Sequence, residues 1–583
     1  MAGEKRILAW LQEELDDDRE SDNLFSDSDS DYNPNEEVSD DDHLSITSEH
    51  SDTIEEDETE DASLIPQHEA YYTAKNQYIW KKFPPPSSKT RASNIIKTTT
   101  NKVVLPPQKT VDSFRDSFEL FITSSILSDI VKFTNQEAQR VYTNENKKAI
   151  WKPCDEVEIR ALIGLLITTG HLKSNHQTVV ALWNPKYGPP IFRATMSKER
   201  FKELLVFIRF DDKSTRSERR EKDKLAPIRD VWEAVCKNLT KHYLPGSNIT
   251  VDEQLVPFRG RCPFRQYMAY KPDKYGMKIF WVTDSRTFYP LKGIPYLGKE
   301  GTTKATNLGS TVVLHLTEPY NHSNRNVTCD NFFTSLDLGN QLLSNGLTMV
   351  GTLRKNKPFI PPEFQPNRTR ENESSLFGFT NNFTLVSYVP SKSKAVLLLS
   401  SMHHTNDTIV EEANKPDIIL YYNETKSGVD TLDQMVHAYS CKRKTNRWPA
   451  AFFMNLIDVC GVAAYVVWIT LHPEWKETRK KTRRRLFLVE LAESLIIPQI
   501  ERRPRRGLHH ATVAAIEVMI PGPGPVPVEA STSVPTEPPK KRRCFLCDVK
   551  KGRMQRQVCD KCKKNVCSDH SVCHRECVKC KKQ

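Results

Sequence analysis

The first hundred residues of this chain lack what a folded core needs. Apolar residues are sparse there, and "SDSDSD" (26–31) and "SDDD" (39–42) have nothing to bury. Bases are nearly missing too: residues 1–62 hold 24 acids and 3 bases. Residues 1–105 are therefore expected to form a disordered acidic tail, and its Ser and Thr set among acids suit an acidophilic kinase. No secretory leader is expected, because the apolar run at 7–11 is short and acids follow at once. Long apolar runs are scarce. The one at 452–471, "FFMNLIDVCGVAAYVVWITL", carries Asn455 and Asp458 and reads as a buried helix, so no membrane partner is expected. No cysteine precedes Cys154. Six are scattered singly, as buried free thiols are, and eight crowd into the last 40 residues.

With the tail set aside, the rest of the 583 residues is strongly basic. The whole chain has 84 Lys+Arg and 74 Asp+Glu, so 81 bases stand against 50 acids beyond residue 62, a net of +31. Such a body suits a polyanion, with nucleic acid the first candidate. Basic runs cluster late: "CKRKTNRWP" (441–449) sets Trp448 beside bases, "KETRKKTRRR" (476–485) holds seven bases, and "KKRR" (540–543) reads as a nuclear-import run.

Helical spacing dominates 112–245, as in "VEIRALIGLLITTG". Near 248 the period changes. "NITVDEQLVPFRG", then "KIFWVTDSRTFYPLKGIPYL" with a turn at Ser285-Arg286, read as three strands; helix, strand, helix and strand follow to about 356. Further strands are expected in 357–415, helix again in 448–500, and a Pro/Gly-rich linker over 504–543.

Asp252 lies within the first of these strands and Asp330 ends the fourth. In an open sheet those two strands can be neighbours, with both aspartates at one crevice. A later helix carrying Asp430 would complete three carboxylates, a set tolerated around divalent cations. Oxygen ligands favour Mg²⁺ or Mn²⁺, and two such ions serve phosphodiester displacement. The plainer reading of "ETKSGVDTLDQMV" is capping: Ser427-x-x-Asp430 resembles a capping box, and Asp430 and Asp433 in a first turn complement the helix dipole. Gly293-x4-Gly298-Lys299 approaches a phosphate loop, but Glu300 stands where a metal-binding hydroxyl belongs, which excludes an NTPase.

Four ligand pairs close the chain: Cys544/Cys547, Cys559/Cys562, Cys567/His570 and Cys577/Cys580. They suit two tetrahedral Zn²⁺ ions in a cross-brace, pairs one and three on one ion and pairs two and four on the other. Cys573 and His574 compete with the last pair.

The blocks "VDEQLVPFRGRCPFRQY", "KYGMKIF", "TCDNFFTS", "VGTLRKNK", "YYNETKSGVDTLDQM" and "RKTNRWPAAFF" closely resemble the piggyBac transposases, from about residue 110 onward. The resemblance implies an α/β protein: an RNase H-like catalytic domain with a β-rich insertion, flanked by a split helical DNA-binding and dimerisation domain, plus a small C-terminal cross-brace zinc module. Its parts would be helical 106–247, catalytic 248–356, insertion 357–415, catalytic 416–440, helical 441–503, linker 504–543 and zinc-binding 544–583. It implies metal ligation by Asp252, Asp330 and Asp430, with Asp433 as a further required acid. Trp448 would handle hairpin and target DNA. Arg443, Lys444 and Arg447 beside it, with Arg259 and Arg261 after the first strand, are the candidate DNA contacts. The implied activity is cut-and-paste transposition through hairpin ends at TTAA, by a homodimer on double-stranded DNA, in the nucleus. The alternative is a domesticated nuclear DNA- or chromatin-binding protein that keeps the fold. The late position of the last cysteine pair departs from the family pattern.

Overall fold

The computed structural model describes residues 70–86, 94, 100–144, 150–269, 271–298 and 307–520, and, further on, 542–547, 554–555, 564–565 and 567–568. The acidic tail with its kinase sites, Lys299 and Glu300, and most of the linker and last cysteine pairs lie outside the described residues. Two compact units divide the chain, Met1–Ile520 and Pro521–Gln583.

One large sheet organises the first unit. Its strands are β1 (Tyr71–Thr73), β2 (Ile79–Lys81), β3 (Asn248–Pro257), β4 (Arg265–Tyr267), β5 (Tyr275–Asp284), β6 (Pro290–Pro295), β7 (Asn326–Cys329), β8 (Thr348–Thr352), β9 (Ser375–Phe379), β10 (Thr384–Tyr388) and β11 (Val396–Ser400). They lie in the order β1-β2-β9-β10-β11-β8-β7-β3-β5-β4, with β6 also paired to β5. β3, β5 and β6 form an antiparallel meander. β7 then pairs parallel with both β3 and β8, after crossovers through helices α1 (Leu308–Thr317) and α2 (Leu336–Ser344). This is the RNase H-like arrangement. β3 is almost wholly buried, with apolar residues toward both ends and the polar run Asp252-Glu253-Gln254 between them.

Three strands of 357–415, β9 to β11, continue the same sheet, since β11 pairs antiparallel with β8, while Thr408–Ile409 pairs with Lys415–Pro416 in a small sheet of its own. The expected disordered region also needs correction at its end. β1 and β2 form a hairpin that joins β9 through Phe379 opposite Lys81. Trp80 is fully buried and donates its indole N–H to the Phe359 carbonyl at 2.8 Å. Strands of three residues carry too little pattern to be seen locally; a partner some 300 positions away supplies their order. Residues 102–103 likewise pair with 243–244.

Further helices follow the sheet strands, among them α3 (Asp417–Thr425), α4 (Gly428–Ala438), α5 (Trp448–Leu471) and α6 (Arg483–Glu501). "DIILYYNE" is thus the helix α3. The apolar run of 452–471 lies in α5 and is buried inside the protein, as its two polar residues foretold. α6 packs on helix Glu156–His171 so closely that a Cβ at Gly164 would meet Ile496 at 2.6 Å. The helical stretches before and after the sheet therefore share one core. The linker begins later than expected: His510–Met519 is a helix with Ile516 fully buried, packed on Pro190–Thr195. Its apolar residues recur at helical spacing, and the Pro/Gly run starts only at 521.

Candidate active site

The register of β3 on β7 assembles the site. Val251 stands opposite Cys329 in a parallel ladder, so Asp252 and Asp330, the next residue on each chain, lie side by side. Parallel neighbours are about 4.8 Å apart in the ladder direction. Asp330 opens a turn just past the strand. Its carboxylate accepts the Phe332 N–H at 2.9 Å, and its carbonyl accepts from the Thr334 N–H and hydroxyl. Asp252 accepts the Glu253 N–H at 2.8 Å.

Helix α4 brings the third acid. Gly428, its first residue, sits against the sheet; a Cβ there would meet Thr283 Oγ1 at 2.5 Å and Thr250 Oγ1 at 2.6 Å. Thr250 donates to the Thr425 carbonyl at 2.7 Å and clamps the end of α3 to the same strand. Thr250 and Asp252 share a strand face, as Gly428 and Asp430 share a helix start, so the clamp sets Asp430 over Asp252. The capping box is overturned, although Asp430 does lie in the first turn of the helix. Ser427 makes no side-chain cap bond, because its backbone has already left the extended conformation a cap requires.

The acids feel one another. Burial pushes the Asp252 carboxyl well above its ordinary range, and Glu253, Asp330 and Asp430 push it further. Burial and Glu253 raise Asp330 to about 6, against the pull of the Phe332 N–H, Lys278 and Arg354. Repulsion of this kind is what a divalent cation among the carboxylates would relieve, so the residues fit Mg²⁺ or Mn²⁺. A cation also stands at the cluster: Lys271, whose Nζ lies 3.8 Å from Asp430 and donates to the Glu253 carbonyl.

Asp433 faces a separate set of partners one helical turn on. Gln254 Nε2 donates to its carboxylate at 2.9 Å, while Gln254 Oε1 accepts the Trp281 indole N–H at 3.0 Å. His437, 3.3 Å from the same carboxylate, is lifted to about 9, chiefly by its hydrogen bond to Asp433. The sequence reading missed Gln254, His437 and Lys271. Period two in "VDEQ" was the available signal for Gln254, which shares the Asp252 face.

The candidate DNA contacts divide. Lys444, Arg259 and Arg261 are exposed. Trp448, Arg443 and Arg447 are not, and their assignment as DNA contacts is corrected here. Trp448 is buried edge-on against Phe264 at 4.9 Å. Arg447 donates to the carbonyls of Leu205, Val206 and Ile208, and Arg443 to that of Gln177. Both arginines fasten the segment before α5 to the earlier helices. Charge alone gave the sequence no way to tell such rivets from phosphate contacts.

In the second unit, one ligand atom each from Cys544, Cys547 and Cys567 lies within 4.8 Å of the others, and the Cys567 N–H points at Cys544 Sγ. Three converging thiols fit a tetrahedral Zn²⁺, and they bring both cysteines of pair one to Cys567 of pair three. Cys559, Cys562, His570, Cys577 and Cys580 lie outside the described residues.

A family model described as Transposase IS4 matches residues 114–465. A solved piggyBac transposase synaptic complex with hairpin DNA matches with a TM-score of 0.68 and 37% identity, over 79% of this chain and 96% of that one. The chain belongs to the piggyBac transposase family. Its human relatives include PiggyBac transposable element-derived protein 3, 22% identical over 69% of this chain and 71% of the relative. PiggyBac transposable element-derived protein 2 of Homo sapiens is 22% identical over 58% of this chain and 59% of its own.

Proposed function

We propose that this piggyBac-family protein is an active cut-and-paste DNA transposase, with Asp252, Asp330 and Asp430 as its metal-holding acids and Asp433 as a required fourth acid. The observation that carries the reading is the Val251–Cys329 register, which sets two carboxylates side by side under a helix bearing the third. Bound Mg²⁺ or Mn²⁺ would supply Lewis-acid stabilisation of the attacking and leaving oxygens of a phosphodiester. The chain's own residues provide the rest. The rigid strand pair fixes two acids, the Gly428 contact fixes the height of α4, and Gln254 with His437 fixes Asp433. The basic surface, including Lys444, Arg259 and Arg261, holds the DNA backbone. Hairpin ends, integration at TTAA, a homodimer on the terminal repeats, two zinc ions in the C-terminal module and a nuclear location complete the proposal. The exposed Arg542 and Arg543 of the basic run support the last.

The test is precise excision from a plasmid carrying matching terminal repeats at TTAA, with wild type beside Asp330→Ala. Excision by wild type alone supports the reading. If the ends are bound yet neither protein excises them, the transposase assignment falls and a binding-only protein takes its place.

A further inference from the structure

Strand β4 is the last strand of the sheet path, and with the start of β5 it forms an exposed cross-strand aromatic pair that the reading above does not use. Tyr267 and Tyr275 stand opposite each other, 51% and 40% exposed, with ring centroids 4.9 Å apart. Arg265 reaches over the Tyr275 ring at 5.4 Å and is itself held by the carbonyls of Arg259 and Gly260. Tyr275 therefore has one neighbouring ring and a fixed guanidinium, while much of both tyrosine rings still faces solvent.

The face matters. Asp252 stands opposite Trp281 on β5, and Tyr275 is six residues earlier on that strand. An even separation puts Tyr275 on the same side of the sheet as Asp252, and Tyr267 and Arg265 follow through their pairing. At about 3.4 Å per residue the rings lie roughly 20 Å along β5 from the carboxylates. That is about six steps of duplex DNA. The loop that joins the two tyrosines folds back toward the acids, since Lys271 within it approaches Asp430. Between residues 258 and 276 the chain has five bases, Arg259, Arg261, Arg265, Lys271 and Lys274, and one acid, Asp273.

We infer that Tyr267 and Tyr275, braced by Arg265, form a stacking platform for an unpaired nucleobase of the DNA flanking the cut. Aromatic rings set in a basic surface hold single-stranded nucleic acid this way: each base has a π-face, and the bases around the rings hold its phosphates. The platform rests on the transposase reading for its position relative to the cut but not for its chemistry. A cross-strand tyrosine pair that only props the hairpin would make no contact with DNA.

The test uses the full chain and a duplex ending in a six-nucleotide single-stranded flank, with 2-aminopurine placed at each flank position in turn. In the wild type, the fluorescence of one or two positions should be quenched on binding. Tyr267→Leu and Tyr275→Leu should each abolish that quenching and weaken binding of the flanked duplex roughly tenfold, leaving the blunt duplex unaffected. Tyr→Phe at either position should behave as wild type. Thermal melts of each variant confirm the fold. Unchanged quenching and affinity in the leucine variants overturn the platform, as does equal weakening on blunt and flanked DNA. Cleavage read in parallel with Mn²⁺ separates the two ideas. Tyrosine-dependent quenching without cleavage overturns the transposase reading alone, and cleavage without it overturns the platform alone. A wild type that binds no flanked DNA overturns both.

Discussion

Gln254 on β3 holds Asp433 of helix α4, which packs on that strand: its amide nitrogen lies 2.9 Å from the carboxylate, and its oxygen takes the Trp281 indole N–H. Gln254 and Trp281 are fully buried, so no water replaces the bond between them. Gln254→Leu should cost about 1–3 kcal/mol of stability through the groups left unpaired. It should also lower turnover by about a hundredfold through a misplaced Asp433 while leaving DNA affinity unchanged. Denaturant melts, single-turnover cleavage and a binding isotherm read the three parts separately. A parallel fall in affinity would show that the network holds DNA instead.

The carboxylate cluster predicts an unusual stability change. In metal-free protein Asp330→Asn should melt higher than wild type, because it removes one of the charges that raise Asp252. Adding Mn²⁺ should raise the melting temperature of wild type and leave that of the variant nearly unchanged. A variant that melts lower without metal would mean the acids are held by protein partners and do not crowd one another.

The buried basic motif predicts a separation of roles. Trp448→Ala should destabilise by about 3–5 kcal/mol, as large aromatic deletions in cores do. Lys444→Ala should leave stability alone and reduce the salt dependence of DNA binding by about one unit of slope. Salt titrations of DNA affinity beside thermal melts decide the matter. A folded Trp448→Ala protein with weakened DNA binding would restore the surface role.

Acid sensitivity should centre in part on Glu137, in helix Ser124–Asn144. Burial alone would raise its carboxyl, but Arg140, Arg209 and Lys213 overcome this and hold it near 2. A depressed acid contributes stability above its ordinary value of 4.5 and loses it as pH falls toward 2. Glu137→Gln should therefore be less stable than wild type at pH 7, by on the order of 3 kcal/mol, with the gap closing below pH about 4. A gap that persists unchanged at low pH would assign the loss to packing.

Chelation should expose Cys544, Cys547 and Cys567 to maleimide, while Cys236, Cys329, Cys441 and Cys460, buried in the first unit, stay unlabelled. Peptide mass spectrometry counts the adducts. Labelling of all seven would mean that the first unit depends on the metal as well.

The sequence carried the acids well, because strand period and a break in period mark Asp252, Asp330 and the Gly428 helix start locally. Two kinds of feature escaped it. The β1–β2 hairpin has meaning only beside β9, far along the chain, and no local pattern encodes that contact. Arg443 and Arg447 look like any basic run until the carbonyls of 177 and 205–208 appear around them. Burial of a charge by distant backbone is a tertiary fact.

The hairpin at 71–81 also decides where this protein can be shortened. Cutting within the acidic stretch leaves every described strand of the sheet in place. Cutting past Lys81 removes the partner of Phe379 and uncovers that end of β9, whose backbone N–H and C=O groups are then open to another molecule's strand. The outcome to expect from that second cut is a chain whose solubility falls with concentration, even with the crevice at the other side of the sheet left intact.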